Sequence, residues 1–265
     1  MGVPIVAQNP RILIVDDDPI IPQVLTLMLQ KRGYTVAGVL TSGEVAVLKT
    51  PGINPDLVIM DIGLAGSMDG IDAAYYLFRL FHYPILFITG MTDEKRLERA
   101  KLSHPYGIIF KPFTEIEIAT NVELALCNHL NRPKSADVYP AGDPKKIMDM
   151  PDGIIITDRA GRIIFFNANA TWYIDLPAEE ILMKHWRQVV MLINDKTGEQ
   201  LKDPIAEAAS HQNGVIYDAN TALVTTTSKR RKVSVSVRPL VDSKGNVFSV
   251  LVSVREKTPK PPGMR

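Results

Sequence analysis

The chain holds a single cysteine, Cys127, in 265 residues. One thiol cannot form an intramolecular disulfide, and this favours a reducing compartment. Long apolar runs are also missing. None approaches the roughly 18 residues of a membrane span. The start, Met1-Gly2-Val3-Pro4, has no basic segment followed by an apolar core, so no signal peptide is expected. A strong charge of one sign is absent too, and a net charge of +1 gives no general attraction to polyanions. There is no internal repeat and no low-complexity tract. These absences point to a cytoplasmic, globular protein without a membrane span. Charge is nevertheless uneven along the chain. Residues 1–130 carry 10 Lys and Arg against 14 Asp and Glu, a net −4, and the remainder carries 20 against 15, a net +5. The length and this asymmetry suit two domains.

What is present begins with three successive carboxylates, Asp16-Asp17-Asp18, directly after the apolar run Ile12-Leu13-Ile14-Val15. A short β-branched run reads as a buried strand. Three acids at its end repel one another unless a positive group joins them, and a divalent cation with oxygen ligands serves that purpose. Strand and helix signals then alternate. Strands are expected at 12–15, 34–39, 57–60, 85–88 and 108–110, and helices at 20–31, 42–49, 69–81, 92–102 and 114–130. The last of these carries a stripe of Ile116, Ala119, Val122, Leu126 and Leu130. Five such units imply a parallel sheet wound on both faces.

In a parallel sheet all carboxyl ends lie on one edge, where open α/β sheets bind ligands. That edge gathers Asp16 and Asp17, Asp61, Thr89 and Lys111. The set suits phosphoryl transfer to a carboxylate. A metal neutralises the acids, Asp61 acts as nucleophile, and the hydroxyl and ammonium hold the oxygens of the transferred group. Asp18 reads as a helix cap, and Asp56 and Asp69 as turn or cap residues.

Residues 11–130 resemble the receiver domain of two-component response regulators. The matching pieces are Ile-Leu-Ile-Val-Asp-Asp-Asp-Pro (12–19), Leu-Val-Ile-Met-Asp (57–61), Met-Asp-Gly (68–70), Leu-Phe-Ile-Thr-Gly (86–90) and Phe-Lys-Pro-Phe (110–113). The resemblance implies a flavodoxin-like (βα)5 fold with Asp61 as phosphoacceptor. It makes Asp16 and Asp17, with Asp61 and the Gly63 carbonyl, the Mg²⁺ ligands. It makes Thr89, with Gly90, the switch segment, Lys111 the phosphate-binding lysine, and the bond before Pro112 cis. The position of the family's switch aromatic holds Ile108, and Tyr106, two residues earlier, is not expected to point the same way. Gly63 and Met91 occupy positions that tune phosphate loss in the family. Neither side chain can orient a water, so slow hydrolysis is expected.

Residues 131–145 are rich in Pro and small residues and read as a linker. Beyond it the pattern becomes antiparallel. Strands at 153–157 and 162–166 flank a turn, helical stretches follow at 168–193 and 204–212, and strands at 217–225, 232–239 and 247–255 close the domain. Residues 146–257 resemble a PAS domain. The resemblance rests on Met-Pro-Asp-Gly-Ile-Ile-Ile-Thr-Asp (150–158), Gly-Arg-Ile-Ile-Phe-Phe-Asn-Ala (161–168), Pro-Ala-Glu-Glu-Ile (177–181) and Val-Arg-Glu-Lys-Thr (254–258). It implies an α+β fold with a five-stranded antiparallel sheet and either a small ligand, haem or flavin, or a dimerisation role. The ligand is unknown, and the domain can also do without one. A thiol-adduct flavin site is excluded because Cys127 lies upstream. His185 reads as a surface or capping residue rather than a haem ligand. Trp172, Tyr173 and Trp186 read as core or dimer contacts. Lys229-Arg230-Arg231-Lys232 reads as a solvated basic turn, with an anionic partner surface as the alternative. Domains are therefore expected at 1–130 and 146–258, with a disordered tail at 259–265.

The chain lacks the phosphoacceptor histidine and Gly-rich nucleotide boxes of a histidine kinase, and no helix-turn-helix follows the first domain. The expected protein is a cytoplasmic response regulator, not an enzyme in its own right, that accepts phosphate from a sensor histidine kinase. It forms a homodimer through the PAS domain or the fourth and fifth receiver helices and does not bind DNA directly. Two other readings remain. In one, the PAS domain senses a small molecule and gates phosphorelay. In the other, a haloacid-type phosphatase uses Asp16 and Asp18.

Overall fold

A computed structural model describes residues 9–90, 94–131, 144–211, 213–218 and 220–257. The chain divides into two units, Met1–Lys145 and Lys146–Arg265. Most of the expected linker, residues 132–143, and the expected tail lie outside the described residues, as does Met91.

The first unit runs β1 (Arg11–Val15), α1 (Ile21–Lys31), β2 (Thr35–Leu40), α2 (Gly43–Ile53), β3 (Leu57–Asp61), α3 (Gly70–Phe81), β4 (Ile85–Thr89), α4 (Glu94–Leu102), β5 (Gly107–Phe110) and α5 (Glu115–Asn131). The strands form one parallel sheet in the order β2-β1-β3-β4-β5. This is the flavodoxin-like order, and its topological switch point lies between β1 and β3. The central strands are apolar throughout because both faces are covered. On one face Ile12, Ile14, Ile59 and Ile88 pack against Leu25 and Leu29 of α1 and Ile118, Val122, Ala125 and Leu126 of α5.

Two expectations about these helices change. The buried stripe of α5 is Ile118, Val122, Ala125 and Leu126, while Ile116 and Leu130 face solvent. Val122 and Leu126 of the expected stripe are buried, whereas its ends are replaced by Ile118 and Ala125, because apolar side chains occur on both registers and packing against α1 and the sheet selects one. The second helix also continues past Lys49, through Pro51, to Ile53. Proline removes a donor and biases the residue before it away from the helical region. Here it falls in the last turn, which Asn54 closes in the left-handed conformation, its N–H donating to the Thr50 carbonyl. The Tyr83 hydroxyl in turn donates to Asn54 Oδ1 at 3.1 Å.

The second unit runs α6 (Pro144–Met148), β6 (Gly153–Asp158), β7 (Ile163–Phe166), α7 (Ala168–Ile174), α8 (Ala178–Ile181), α9 (Trp186–Val189), β8 (Val190–Asn194), α10 (Pro204–His211), β9 (Val215–Tyr217), β10 (Thr221–Thr225), β11 (Arg230–Val241) and β12 (Val247–Glu256). The sheet is antiparallel in the order β7-β6-β12-β11-β10-β8, with β9 also paired to β11. It has seven strands where five were expected. Two local features account for the difference. Residues 190–194, expected as helix, pair along their whole length with β10; an apolar run this short does not distinguish a buried strand from a helix. The expected strand at 217–225 is broken by Asn220 at φ 55°, so β9 and β10 pair with different stretches of β11.

Candidate functional site

The three aspartates after β1 separate by direction. Asp16 continues the ladder, its N–H donating to the Leu40 carbonyl, and the residue is 2 % exposed. Its Oδ1 accepts the Asp18 N–H at 2.9 Å, which turns the chain and leaves Oδ2 facing Lys111. Asp17 is exposed and its Oδ2 accepts the Ala65 N–H at 3.2 Å. Asp18 accepts the N–H groups of Ile20 and Ile21 at 2.7 and 3.0 Å, satisfying donors that the start of α1 leaves free.

Asp61 ends β3, next to β1, and is 8 % exposed. Its Oδ2 accepts the Gly63 N–H at 2.6 Å. The first residue of α3 must be glycine here, since a Cβ at Gly70 would lie 1.8 Å from the Asp61 carbonyl oxygen. Lys111 leaves β5 with its N–H on the Thr89 carbonyl, and the Lys111–Pro112 peptide is cis. Its ammonium lies 2.9 Å from both Asp16 Oδ2 and Asp61 Oδ1. Thr89 is 1 % exposed at the end of β4, and Gly90 after it is exposed. The edge thus brings together Asp16, Asp61 and Lys111 by direct contact and places Asp17, Gly63, Thr89 and Gly90 on the elements beside them.

Burial raises the Asp16 pKa above its ordinary 3.8. The Asp18 N–H and Lys111 oppose that rise, and the Asp61 charge adds to it. Burial pushes Lys111 down, but hydrogen bonds and charge from Asp61 and Asp16 outweigh it, and the net direction is up. Two buried acids thus share one ammonium. A groove of 680 Å³ borders the three aspartates on the α1 side, lined by Asp16, Asp17, Asp18, Pro22 and Thr26, and Asp61 and Lys111 do not line it.

Among the described residues, no three acidic, His or Cys side chains are already gathered into a metal cluster. Asp17, turned to Ala65, is the acid that stands apart. The donor set still fits Mg²⁺, which takes only oxygen ligands, needs one or two carboxylates and keeps waters or phosphate oxygens in its other positions.

Ile108 pairs with Phe87 of β4 and, by strand alternation, faces away from the α1–α5 side occupied by Ile109. Tyr106 packs on that α1–α5 side, and its hydroxyl meets His129 Nδ1 of α5 at 3.0 Å. The two side chains therefore lie on different faces of the sheet.

In the second unit, His185 caps α9: its Nδ1 accepts the Arg187 N–H and its own N–H donates to Gln188. Trp186 and Tyr173 are core residues, each 2 % exposed, and the Tyr173 hydroxyl accepts the Glu256 N–H. The basic turn is engaged within its own unit. Lys229 pairs with Asp175, Arg230 and Lys232 pair with Asp195, and Arg231 stacks 3.6 Å over Trp172. Two structurally central residues were given no role in the reading of the chain, Asn167 standing there only as part of a motif. Asn167 is fully buried and accepts the Ile154 and Ala170 N–H groups while donating to the Ile147 and Asp152 carbonyls. Glu44 binds backbone N–H groups 23 and 24 residues away.

Residues 12–123 match the family described as the response regulator receiver domain, and residues 148–260 match the PAS fold. The chain is 33% identical over 141 residues to the DNA-binding response regulator MtrA of Mycolicibacterium smegmatis, covering 53% of this chain and 59% of that protein. It is 34% identical over 116 residues to the transcriptional regulatory protein PdtaR of Mycobacterium tuberculosis, covering 44% and 56%. The chain thus spans between half and two thirds of the length of these curated relatives. Among solved structures, the signal receiver domain of a modulated diguanylate cyclase from Desulfovibrio desulfuricans is 34% identical, over 47% of this chain and 99% of that one, with a TM-score of 0.46. The first unit carries a response regulator receiver domain. A PAS fold follows it in the second.

Proposed function

We propose that this chain is a phosphoryl-accepting response regulator in which Asp61 is the phosphoacceptor and a sensor histidine kinase is the donor. One Asp61 carboxylate oxygen attacks phosphorus, the bond from phosphorus to the donor's imidazole nitrogen breaks, and the nitrogen keeps the electron pair. Asp16, Asp17, Asp61 and the Gly63 carbonyl would hold Mg²⁺, which supplies charge neutralisation at the phosphoryl oxygens. Lys111 moves from its two carboxylates toward the incoming phosphoryl oxygens, and Thr89 offers its hydroxyl. The observation that carries this reading is the Lys111 ammonium at 2.9 Å from both Asp16 and Asp61, at the switch point of the sheet. The haloacid-type alternative loses support because the Asp18 carboxylate is engaged by the backbone N–H groups of Ile20 and Ile21.

Phosphorylation would act through α4, β5 and α5. Leu102, Phe110 and Ile116 lie there with 75%, 51% and 68% of their surface exposed, which suits a homodimer. The PAS domain would serve as the sensory or dimerising output, and the cytoplasm would be the site of action. With no side chain at Gly63 to orient water, the phosphoaspartate should persist. Incubation with acetyl phosphate and Mg²⁺ followed by intact-mass measurement tests the reading. Wild type should gain one phosphate, and Asp61→Ala should gain none. A gain retained in Asp61→Ala, or no gain in wild type, would overturn it, and a half-life of only seconds would overturn the slow hydrolysis.

A further inference from the structure

The loop between β3 and α3 has no regular structure to satisfy its backbone, and carboxylates do so instead. Gly63 N–H donates to Asp61 Oδ2 and Ala65 N–H to Asp17 Oδ2. Ser67 and Met68 N–H both donate to one oxygen, Oε1 of Glu44, at 2.7 and 2.9 Å. Asp61 and Asp17 belong to the acidic edge. Glu44 does not: it stands in the first turn of α2, after the cap Ser42. The loop is shaped to meet it. Gly66 sits at φ 126°, and a Cβ there would be 2.9 Å from Glu44 Oε1. A Cβ at Gly43 would be 2.6 Å from the Met68 carbonyl oxygen, so the loop and the start of α2 touch backbone to backbone.

We infer that Glu44 is a positioning residue for the cation site, a role that rests on the phosphoacceptor reading above. Asp17 and Asp61, which hold Ala65 and Gly63, are themselves cation ligands in that reading, so a bound cation competes for their oxygens. Glu44 holds Ser67 and Met68 from outside the acidic edge and keeps the loop carrying Gly63 fixed whether or not a cation is bound. The hydrogen bonds need reach rather than charge, since one oxygen accepts both.

The full chain as Glu44→Gln and Glu44→Asp separates these properties. Glutamine keeps the reach and loses the charge; aspartate keeps the charge at the start of α2 and is one methylene short. Mg²⁺ alone is titrated by calorimetry, and amide hydrogen exchange is followed at Ser67 and Met68. Glu44→Asp should bind Mg²⁺ about 10-fold more weakly, as outer-shell changes at metal sites do, and exchange faster at both amides. Glu44→Gln should match wild type in both. Wild-type Mg²⁺ affinity in Glu44→Asp, or equal weakening in Glu44→Gln, overturns the positioning role while leaving the phosphoacceptor reading intact. Failure of wild type to bind Mg²⁺ and to take phosphate overturns that reading and this role with it.

Discussion

In the receiver unit the buried acids Asp16 and Asp61 converge on one shared lysine at the carboxyl edge of the sheet. In the PAS unit the buried polar side chains Asn167 and Asp158 are instead taken up by their own surroundings. Asn167 ties α6, β6 and α7 together, and Asp158 accepts the Ala160 and Arg162 N–H groups and the Arg162 side chain across the β6–β7 turn. The contrast distinguishes scaffold from site. A polar group whose partners are all local and neutralising lowers the free energy of the fold. Acids left to share one counterion hold the protein in a less favourable state, which on the proposed function a cation and a phosphoryl group would relieve.

The comparison is broken most severely by exchanging which residue is lost. Asp61→Ala should abolish phosphate uptake, read by intact mass, and leave thermal unfolding little changed. Asn167→Ala should do the converse. It strands buried N–H and carbonyl groups, at a cost of about 3 kcal/mol, read by denaturant unfolding, while phosphate uptake by the receiver persists. Loss of uptake in Asn167→Ala would show that the units do not act separately.

A subtler effect has the opposite sign. Because the folded chain holds the Asp16 proton more tightly than the unfolded chain, the metal-free fold gains stability as pH falls through the raised folded pKa toward 3.8. Above the raised value it carries a constant penalty. Asp16→Asn should therefore raise the melting temperature of the metal-free protein at neutral pH and flatten this acid-side rise, while weakening Mg²⁺ binding. A lower melting temperature would show that Asp16 stabilises the fold.

The smallest effect concerns the PAS sheet. Among the described residues, the Thr157 hydroxyl is buried without a hydrogen-bond partner. Thr157→Val should be neutral or stabilising by up to about 1 kcal/mol in chemical denaturation, and destabilisation would reveal a partner for it.

How much could be read in advance follows from the range of each interaction. The acidic edge was legible because strand order alone carries Asp16, Asp61, Thr89 and Lys111 to one side of a parallel sheet. The division of labour among Asp16, Asp17 and Asp18 was legible as far as Asp18 serving the start of α1, though Ile20 rather than Asp18 is the capping position. Asp17's bond to Ala65 was not, since it depends on the path of a loop 48 residues on. The centre of the α5 stripe, Val122 and Leu126, was legible, but its ends were not, because Ile116 and Ile118 define competing registers that only packing resolves. Strand β8 was misread because four apolar residues followed by an asparagine carry no reliable period. Glu44 was invisible because its partners are backbone groups, which leave no trace in residue type.

The central claim is that, of four acids at one sheet edge, only Asp61 takes the phosphoryl group. Treatment with acetyl phosphate and Mg²⁺, borohydride reduction of the acyl phosphate and peptide mass mapping test it directly. Reduction should convert position 61 to homoserine and leave Asp16, Asp17 and Asp18 unchanged. Homoserine at any of those three positions, or its absence from position 61 in protein that has gained phosphate, would contradict the account.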